Sequence, residues 1–241
     1  MRKGVQKIYK EVAATYETVN HILTLGLDII WRKKAVREVA LKENQKWLDV
    51  CCGTGEMTRN LDERAPASTC VVSVDFSPAM LSVARQKQFK KKILFVQADV
   101  GTLPFPDDSF DLLTISFSTR NLNLTPREMQ RHLVEFSRIL KPEGCFLNLE
   151  TSQPASLILR KGFHFYIRSL VPFIGRLISG SKAGYKYLAF TVPRFYRPED
   201  FTKMLLRNGF RNVRHRRLFG GIAAIHLAVK PGSDPDHSIK Y

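Results

Sequence analysis

Short apolar runs alternate along this chain with longer amphipathic segments. Seven short segments are predicted as strands, and most of them have the Val, Ile, Leu and Phe content of buried strands. They are Trp47–Cys51, Cys70–Asp75, Ile93–Gln97, Leu112–Phe117, Phe146–Glu150, Val213–Leu218 and Ile222–Val229. Strands that alternate with helices favour a parallel sheet covered by helices on both faces, which is an α/β, Rossmann-like arrangement.

Two of the intervening segments carry clear helix start signals. Ser77-Pro78 is a cap followed by proline in the first turn, and Thr125-Pro126 is followed by Glu128 in a capping box. The apolar stripes of these helices are Met80, Leu81 and Ala84 in the first and Met129, Leu133, Phe136 and Leu140 in the second.

The last two predicted strands are joined by the turn Phe219-Gly220-Gly221. This connection is too short for a crossover, so the two strands should pair antiparallel. We therefore predict a seven-stranded, mainly parallel sheet with one antiparallel strand near its end.

The segment Leu48–Thr58, LDVCCGTGEMT, predicts a strand, a glycine turn and a helix. Gly53 and Gly55 let the backbone turn tightly and approach a ligand closely. Asp75 ends the next apolar run twenty positions beyond Gly55, where a βαβ unit places an acid that binds ribose. The alternative is that the glycines only make a turn and that Asp75 only caps the Ser77 helix.

The residues around this turn favour S-adenosylmethionine over a dinucleotide. A dinucleotide site expects a third glycine where this chain has Thr58, and Glu56 would repel a diphosphate but tolerate a sulfonium cation. Asp49 adds a second negative charge, and Asp99, unless it only forms a turn, could accept from the adenine amino group beside Val100. The predicted cofactor-binding residues are Asp49, Gly53, Thr54, Gly55, Asp75, Phe76, Ala98, Asp99, Val100 and Ser116.

Length, cysteines and charge narrow the possibilities. The 241 residues suit one large α/β domain, and no stretch has the pattern of a signal peptide or a membrane span, which predicts a soluble intracellular protein. The four cysteines fit neither a zinc site nor a disulfide framework, so we expect small buried residues and keep a catalytic thiol as the alternative.

Residues 155–218 hold fourteen Lys and Arg against two acids, which is +12 of the net +16. An anionic membrane surface and nucleic acid are the candidate partners.

The basic region begins with an amphipathic segment, Leu157–Ile178. Its apolar positions recur every three or four residues and are interrupted by Pro172 and by four basic residues. We predict a lid that lies on the rest of the protein, with its basic rim either in solvent or on anionic lipid.

Several further blocks resemble the ubiquinone/menaquinone biosynthesis C-methyltransferase family (UbiE/MenG type), over about residues 12–230. The blocks are Tyr16-x-x-Val19-Asn20, Leu103–Asp111, Ser116–Leu122, Leu140–Gly144, Tyr185-x-Tyr187-Leu188 and Gly221–His226. The chain departs from the family pattern at Ser118, at Phe190-Thr191 and at Asp28, where the family usually has glycine, an acidic-Ser pair and histidine.

The resemblance implies a methyltransferase that uses S-adenosylmethionine to methylate a ring carbon of a polyprenyl quinol. Arg120, His226 and Tyr185 are the catalytic candidates that it suggests, with a structural role as the alternative for each. Tyr16, Asn20, Asn121 and Tyr187 are the candidates for substrate binding. The rival hypotheses are a methyltransferase that acts on another amphipathic small molecule and an RNA methyltransferase or RNA-binding protein.

We therefore predict a single domain over residues 1–230. A helical cap occupies residues 1–45, the lid insertion occupies residues 155–195, and residues 231–241 form a disordered tail. We expect a cytoplasmic enzyme that touches the membrane peripherally, binds no metal and could form a homodimer.

Overall fold

The computed structural model describes residues 13–123, 125–179 and 182–232. The first twelve residues of the predicted cap and nearly all of the predicted tail therefore lie outside the described residues. The elements follow in the order α1 (Tyr16–Thr24), α2 (Leu27–Arg37), β1 (Lys46–Val50), α3 (Glu56–Arg64), β2 (Cys70–Asp75), α4 (Pro78–Arg85), β3 (Leu94–Gln97), β4 (Phe110–Ser116), α5 (Thr119–Leu122), α6 (Pro126–Ile139), β5 (Leu140–Thr151), α7 (Leu157–Phe165), α8 (Val171–Ser179), α9 (Lys182–Thr191), α10 (Pro198–Arg207), β6 (Arg211–Leu218) and β7 (Ala223–Val229).

The seven strands form one sheet in the order β3-β2-β1-β4-β5-β7-β6. Strand β7 runs antiparallel to both of its neighbours, and the other pairs are parallel. The predicted mainly parallel sheet with one antiparallel strand is thus confirmed. The chain reverses its direction of travel across the sheet between β1 and β4, and ligands of open α/β sheets bind outside the carboxyl ends of strands at such a point.

The inner strands β2, β1, β4 and β7 are buried on both faces, which explains their apolar character, whereas the edge strands β3 and β6 are largely exposed or half-buried. Neighbouring residues of β1 serve opposite cores: Leu48 packs in a cluster with Phe136 of α6, and Trp47 packs in a second cluster with Met57 of α3. Helices on both faces are therefore required by the sequence of the strands themselves.

Helix α6 ends one residue earlier than its apolar stripe predicted. Leu140 has extended backbone and begins β5, where it pairs with Phe110 of β4. Pro142 accounts for the change, since a proline in a continued helix would clash with the carbonyl of Arg138 and lack an N–H.

The predicted helical insertion is present and packs on the N-terminal helix. Phe163, Ile167 and Tyr185 of the insertion share a buried cluster with Val19 and Leu23 of α1. The Tyr166 hydroxyl, in a π-helical turn between α7 and α8, donates to the Leu23 carbonyl at 2.6 Å. Among the described residues, no helix is both long and apolar enough to cross a bilayer.

Candidate functional site

A cavity of about 370 Å³ lies at the carboxyl ends of the strands around the β1/β4 switch point. It opens beside the residues that follow β1, β2, β3 and β4, so its place agrees with the rule for open α/β sheets. The residues predicted to bind cofactor or substrate that line it are Tyr16, Gly53, Thr54, Asp75, Phe76, Ala98, Asp99, Val100, Ser116 and Asn121.

The glycine turn after β1 adopts backbone angles that favour glycine. Gly53 has φ +55° and Gly55 has φ +85°, and Gly55 stands immediately before α3. A Cβ on Gly53 would meet no atom within 4 Å, whereas one on Gly55 would lie 3.3 Å from the Ala84 Cβ. Gly53 therefore lines the cavity, and Gly55 lets α3 and α4 pack closely behind it.

Asp75 connects this turn to the next helix. Its Oδ2 accepts from the Gly53 N–H at 2.8 Å, and its Oδ1 accepts from the Ser77 N–H at 2.8 Å. Burial raises the pKa of Asp75, although the backbone hydrogen bonds from Ser77 and Gly53 oppose that shift. The carboxylate thus has a structural task and also faces the cavity, while the Ser77 hydroxyl supplies the cap of α4 itself.

Asp49 lies beneath the cavity and not in its wall. Its carboxylate is fully buried and accepts from the Thr58 hydroxyl at 2.7 Å and from the Thr114 hydroxyl at 2.9 Å. Burial raises the pKa of Asp49 to about 7, against the opposing effect of these two hydrogen bonds. The carboxyl group ties α3 to β1 and β4 below the glycine turn.

Beside Asp99, which follows β3, the cavity wall includes His132, a residue that the sequence analysis missed. Asp99 Oδ1 accepts from the Gly101 N–H at 2.8 Å, so Asp99 forms a turn and lines the cavity as well. A Cβ on Gly101 would lie 3.2 Å from both Asp99 Oδ1 and His132 Cε1, which places the imidazole beside this turn. His132 and Glu128, one turn apart in α6, both line the cavity, and their i, i+4 spacing could have revealed them.

Charged side chains of α1, α2 and the segment after α4 meet near the start of α3. Lys87 Nζ donates to Glu17 Oε1 at 2.5 Å and also to Glu56, and so links α1 to the start of α3. Burial opposes ionisation of Glu56, but its hydrogen bond with Lys87 and the lysine charge lower its pKa overall. Asp28 accepts from Arg32 Nη1 at 2.6 Å, and Arg32 lines the cavity. The Lys87 contacts join distant parts of the sequence, so no local pattern signalled them, whereas Asp28 and Arg32 are four residues apart in α2.

Arg120 lies next to the cavity wall without being part of its lining. Its Nη1 donates to Glu150 Oε1 and to the Phe117 carbonyl, both at 2.6 Å, and its backbone N–H donates to Glu150 Oε2. Both side chains are buried. The guanidinium therefore holds the segment that carries Phe117 and Asn121 to the cavity.

The structure places the remaining predicted site residues outside the cavity lining. Asn20 lies on α1, and Tyr187 is half-buried in the lid, where burial raises its pKa. Tyr185 is buried among the lid helices, where its ring fills the space that a side chain on Gly175 would need.

His226 lies in the middle of β7, and its ring packs edge-on against Phe201 of α10. Its Nε2 donates to the Pro198 carbonyl at 3.0 Å. Burial lowers the pKa of His226 to about 4, so the imidazole is neutral in the folded protein. His226 therefore packs beneath α10 and lies outside the cavity lining.

The cysteines differ in their surroundings. Cys51 and Cys52 line the cavity, and burial raises the pKa of both thiols. A thiolate is therefore disfavoured at this site, which argues against the catalytic-thiol alternative. Cys70 is exposed, contrary to the prediction that the cysteines are buried.

The charges of the cavity suit a cofactor that carries positive charge. The acids Glu56, Asp75, Asp99 and Glu128 line it, against Arg32 as the single lysine or arginine among the described lining residues. The cofactor S-adenosylmethionine combines a sulfonium and an ammonium with one carboxylate, a ribose diol and an adenine. The described lining therefore fits this cofactor by its donor and acceptor set.

Comparisons with known proteins agree with the site. The sequence model described as "ubiE/COQ5 methyltransferase family" matches residues 1–230. Proteins named demethylmenaquinone methyltransferase in Staphylococcus aureus and Staphylococcus carnosus are 34% identical over 230 residues, which cover 95% of this chain and 94% of each relative.

Solved structures show the same fold at lower identity. A SAM-dependent methyltransferase from Aquifex aeolicus is 19% identical with a TM-score of 0.59, over 82% of this chain and 88% of its own. Human N-acetylserotonin methyltransferase, solved in complex with SAM, is 17% identical with a TM-score of 0.63, over 91% of this chain and 58% of its own. With a matching fold, a fitting cavity and a family match over nearly its whole length, the chain belongs to the ubiE/COQ5 family of S-adenosylmethionine-dependent methyltransferases.

Proposed function

We propose that this enzyme methylates a ring carbon of a polyprenylated quinol, with demethylmenaquinol as the first candidate and the corresponding ubiquinone precursor as the second. The names of the relatives at 34% identity support the naphthoquinol. The structural observation that carries the proposal is the position of α1. Tyr16 of this helix lines the cofactor cavity, while Val19 and Leu23 of the same helix pack into the apolar lid.

In this proposal the same cavity holds both the cofactor and the quinol ring. Bound S-adenosylmethionine supplies an electrophilic methyl group on its sulfonium. In this proposal Asp75 and Asp99 bind the adenosine, Ser116 also contacts the cofactor, and Tyr16 and Asn121 bind the quinol ring. The reaction forms a bond between the ring carbon and the methyl group, breaks the methyl–sulfur bond and passes the ring proton to solvent. Holding the two reactants in line can contribute about 7–11 kcal/mol.

Arg120 takes a positioning role in this proposal. Because Glu150 and the Phe117 carbonyl hold its guanidinium, it fixes the loop that brings Phe117 and Asn121 to the cavity. Tyr185 and His226 support the lid and α10.

The substrate is tested with methyl-labelled S-adenosylmethionine and reduced acceptors in detergent micelles. The proposal predicts label in demethylmenaquinol, less in a polyprenyl benzoquinol, and none in a sterol or in RNA. Label in RNA, or label in a sterol at the same rate as in the quinols, would contradict the quinol as substrate and favour the rival acceptor.

The outer face of the lid supports membrane contact by this enzyme. Ile158, Phe165, Phe173 and Leu177 of the α7–α8 segment are 86%, 65%, 69% and 77% exposed. The basic residues Arg160, Lys161, Arg168 and Arg176 interrupt this apolar surface. Apolar side chains that enter the headgroup region and basic residues worth about 1 kcal/mol each near anionic lipid would together hold the lid on a membrane, where a polyprenyl quinol resides.

Flotation with vesicles tests this surface. We expect binding to vesicles that contain anionic lipid, weaker binding to neutral vesicles, and loss of binding in a Phe173→Ser/Leu177→Ser variant. A variant with Leu206→Ser, an exposed leucine on α10, is the control. RNA binding that equals the vesicle binding and survives the double substitution would favour nucleic acid as the partner.

A further inference from the structure

We propose that Arg32 binds the carboxylate of the methionine part of S-adenosylmethionine and thereby sets the direction in which the cofactor lies. The inference concerns a residue of α2, about twenty positions before the glycine turn. It rests on the cofactor cavity and is independent of the identity of the quinol.

The first support is the charge of the cavity wall. Arg32 is the single lysine or arginine among the described lining residues, and four acids line the same cavity. The bound cofactor has one anionic group. Guanidinium matches a carboxylate with paired N–H donors, so the one cation of the wall is the natural partner for the one anion of the ligand.

The second support is the state of the Arg32 side chain. The side chain is 9% exposed, and Arg32 Nε is buried without a hydrogen-bond partner among the described residues. Nε is closed to the cavity as well as to water, so a ligand carboxylate would meet the terminal nitrogens of the guanidinium, in a setting shielded from water where a charge-assisted hydrogen bond is strong.

The third support is the orientation of the guanidinium. Asp28 accepts from Nη1 at 2.6 Å, and the guanidinium carbon lies 5.0 Å from the centre of the Phe117 ring. Asp28 is itself held by the Thr24 hydroxyl at 2.6 Å and by His21 Nδ1 at 2.9 Å. The arginine is thus fixed before any ligand arrives, which reduces the entropic cost of binding.

The order of groups across the sheet agrees with this assignment. Asp75 and Asp99 follow β2 and β3, whereas Phe117, beneath Arg32, follows β4 on the opposite side of β1. A cofactor with its adenosine at Asp75 and Asp99 would extend its amino-acid end across the β1 turn toward β4. The carboxylate would then meet Arg32 on the side where Asn121 faces the ring of the second substrate.

Calorimetry with two cofactors tests the proposal in the absence of quinol. S-adenosylmethionine is compared with its decarboxylated analogue, which keeps the sulfonium and the amine but lacks the carboxylate. We expect the wild type to bind the complete cofactor roughly tenfold to a hundredfold more tightly. Arg32→Gln should reduce this preference to about one, by weakening the complete cofactor alone, whereas Lys33→Gln, an exposed neighbour, should retain it.

Two outcomes would overturn the assignment. One is a wild type that binds both cofactors equally, and the other is an Arg32→Gln variant that keeps the full preference. Arg32→Gln leaves the buried Asp28 without its cation, which could unfold the protein. The Asp28→Asn/Arg32→Gln variant removes both charges, and we expect it to bind the complete and the decarboxylated cofactor equally well.

Discussion

Arg120 and Glu150 form a buried ion pair, with 2.6 Å between Nη1 and Oε1, that joins the helix after β4 to the end of β5. Glu150 also accepts from the backbone N–H groups of Arg120 and Thr151. The carboxylate thus organises the loop beside the cavity although it touches no cavity space itself. Loss of activity in an Arg120 variant would follow from this loop as readily as from lost chemistry.

The ion pair makes a prediction about stability. Glu150→Gln leaves the Arg120 guanidinium buried without its counter-charge, which should lower the free energy of unfolding by about 3–5 kcal/mol. A Glu150→Leu/Arg120→Met variant removes both charges and should recover most of that loss. Urea unfolding measures both variants. Equal losses in the two would mean that the pair is not coupled in the way its geometry indicates.

The lid core makes a second prediction. A methyl group on Gly175 would overlap the Tyr185 ring, so Gly175→Ala should destabilise the protein by about 1–3 kcal/mol. Gly162, in α7, has open space at its Cβ position, so Gly162→Ala should stabilise by about 0.5–1 kcal/mol. Thermal unfolding distinguishes the two, and a Gly175→Ala variant as stable as Gly162→Ala would contradict the packing of Tyr185.

His226 should make the protein sensitive to acid. Its pKa falls from an ordinary 6.5 to about 4 in the folded state, because burial disfavours the charged imidazole. The neutral form stabilises the fold fully above pH 6.5, and that contribution is lost as the pH falls toward 4. Between pH 7 and pH 5 the loss is about 2 kcal/mol. His226→Gln should flatten this part of the profile in urea unfolding, and an unchanged slope would show that the imidazole is not the cause.

Asp49 should make the protein less stable as the pH rises. Burial raises its pKa from 3.8 to about 7, so the folded state favours the protonated carboxyl. Its contribution is present below pH 3.8 and is lost as the pH rises through about 7, by about 2–3 kcal/mol between pH 5 and pH 8.5. Asp49→Asn should lose less stability than the wild type over that interval. If both proteins lose the same amount, the carboxyl is ionised throughout.

The sequence predicted most of the fold because the inner strands are buried on both faces. Apolar runs such as Cys70–Asp75 therefore have few polar interruptions, and the short turn before β7 settled its antiparallel direction. The end of α6 was less predictable. Leu140 continues the helical stripe, and only the following Pro142 explains why it begins a strand instead.

The cofactor site was predictable where it is local in sequence. Gly53 and Asp75 belong to one βαβ unit, whose spacing alone places them together. Arg32 reaches the cavity from α2, and Lys87 reaches Glu56 from the segment after α4, and no local pattern announces that either residue meets this region. His226 was a reasonable candidate as a polar residue in an apolar strand, but it lies outside the cavity lining and its Nε2 donates to the Pro198 carbonyl.

Titration of the purified protein with S-adenosylmethionine, with and without Asp75→Ala, tests the assignment of the cavity most directly. The matched control is Asp111→Ala. Asp111 lies at the amino end of β4, away from the cavity, and its carboxylate pairs with Lys141 at 2.9 Å. We predict that the wild type and Asp111→Ala bind the cofactor alike, and that Asp75→Ala binds it at least about tenfold more weakly while remaining folded. A folded Asp75→Ala variant with the affinity of the wild type would show that the cofactor does not lie against this carboxylate.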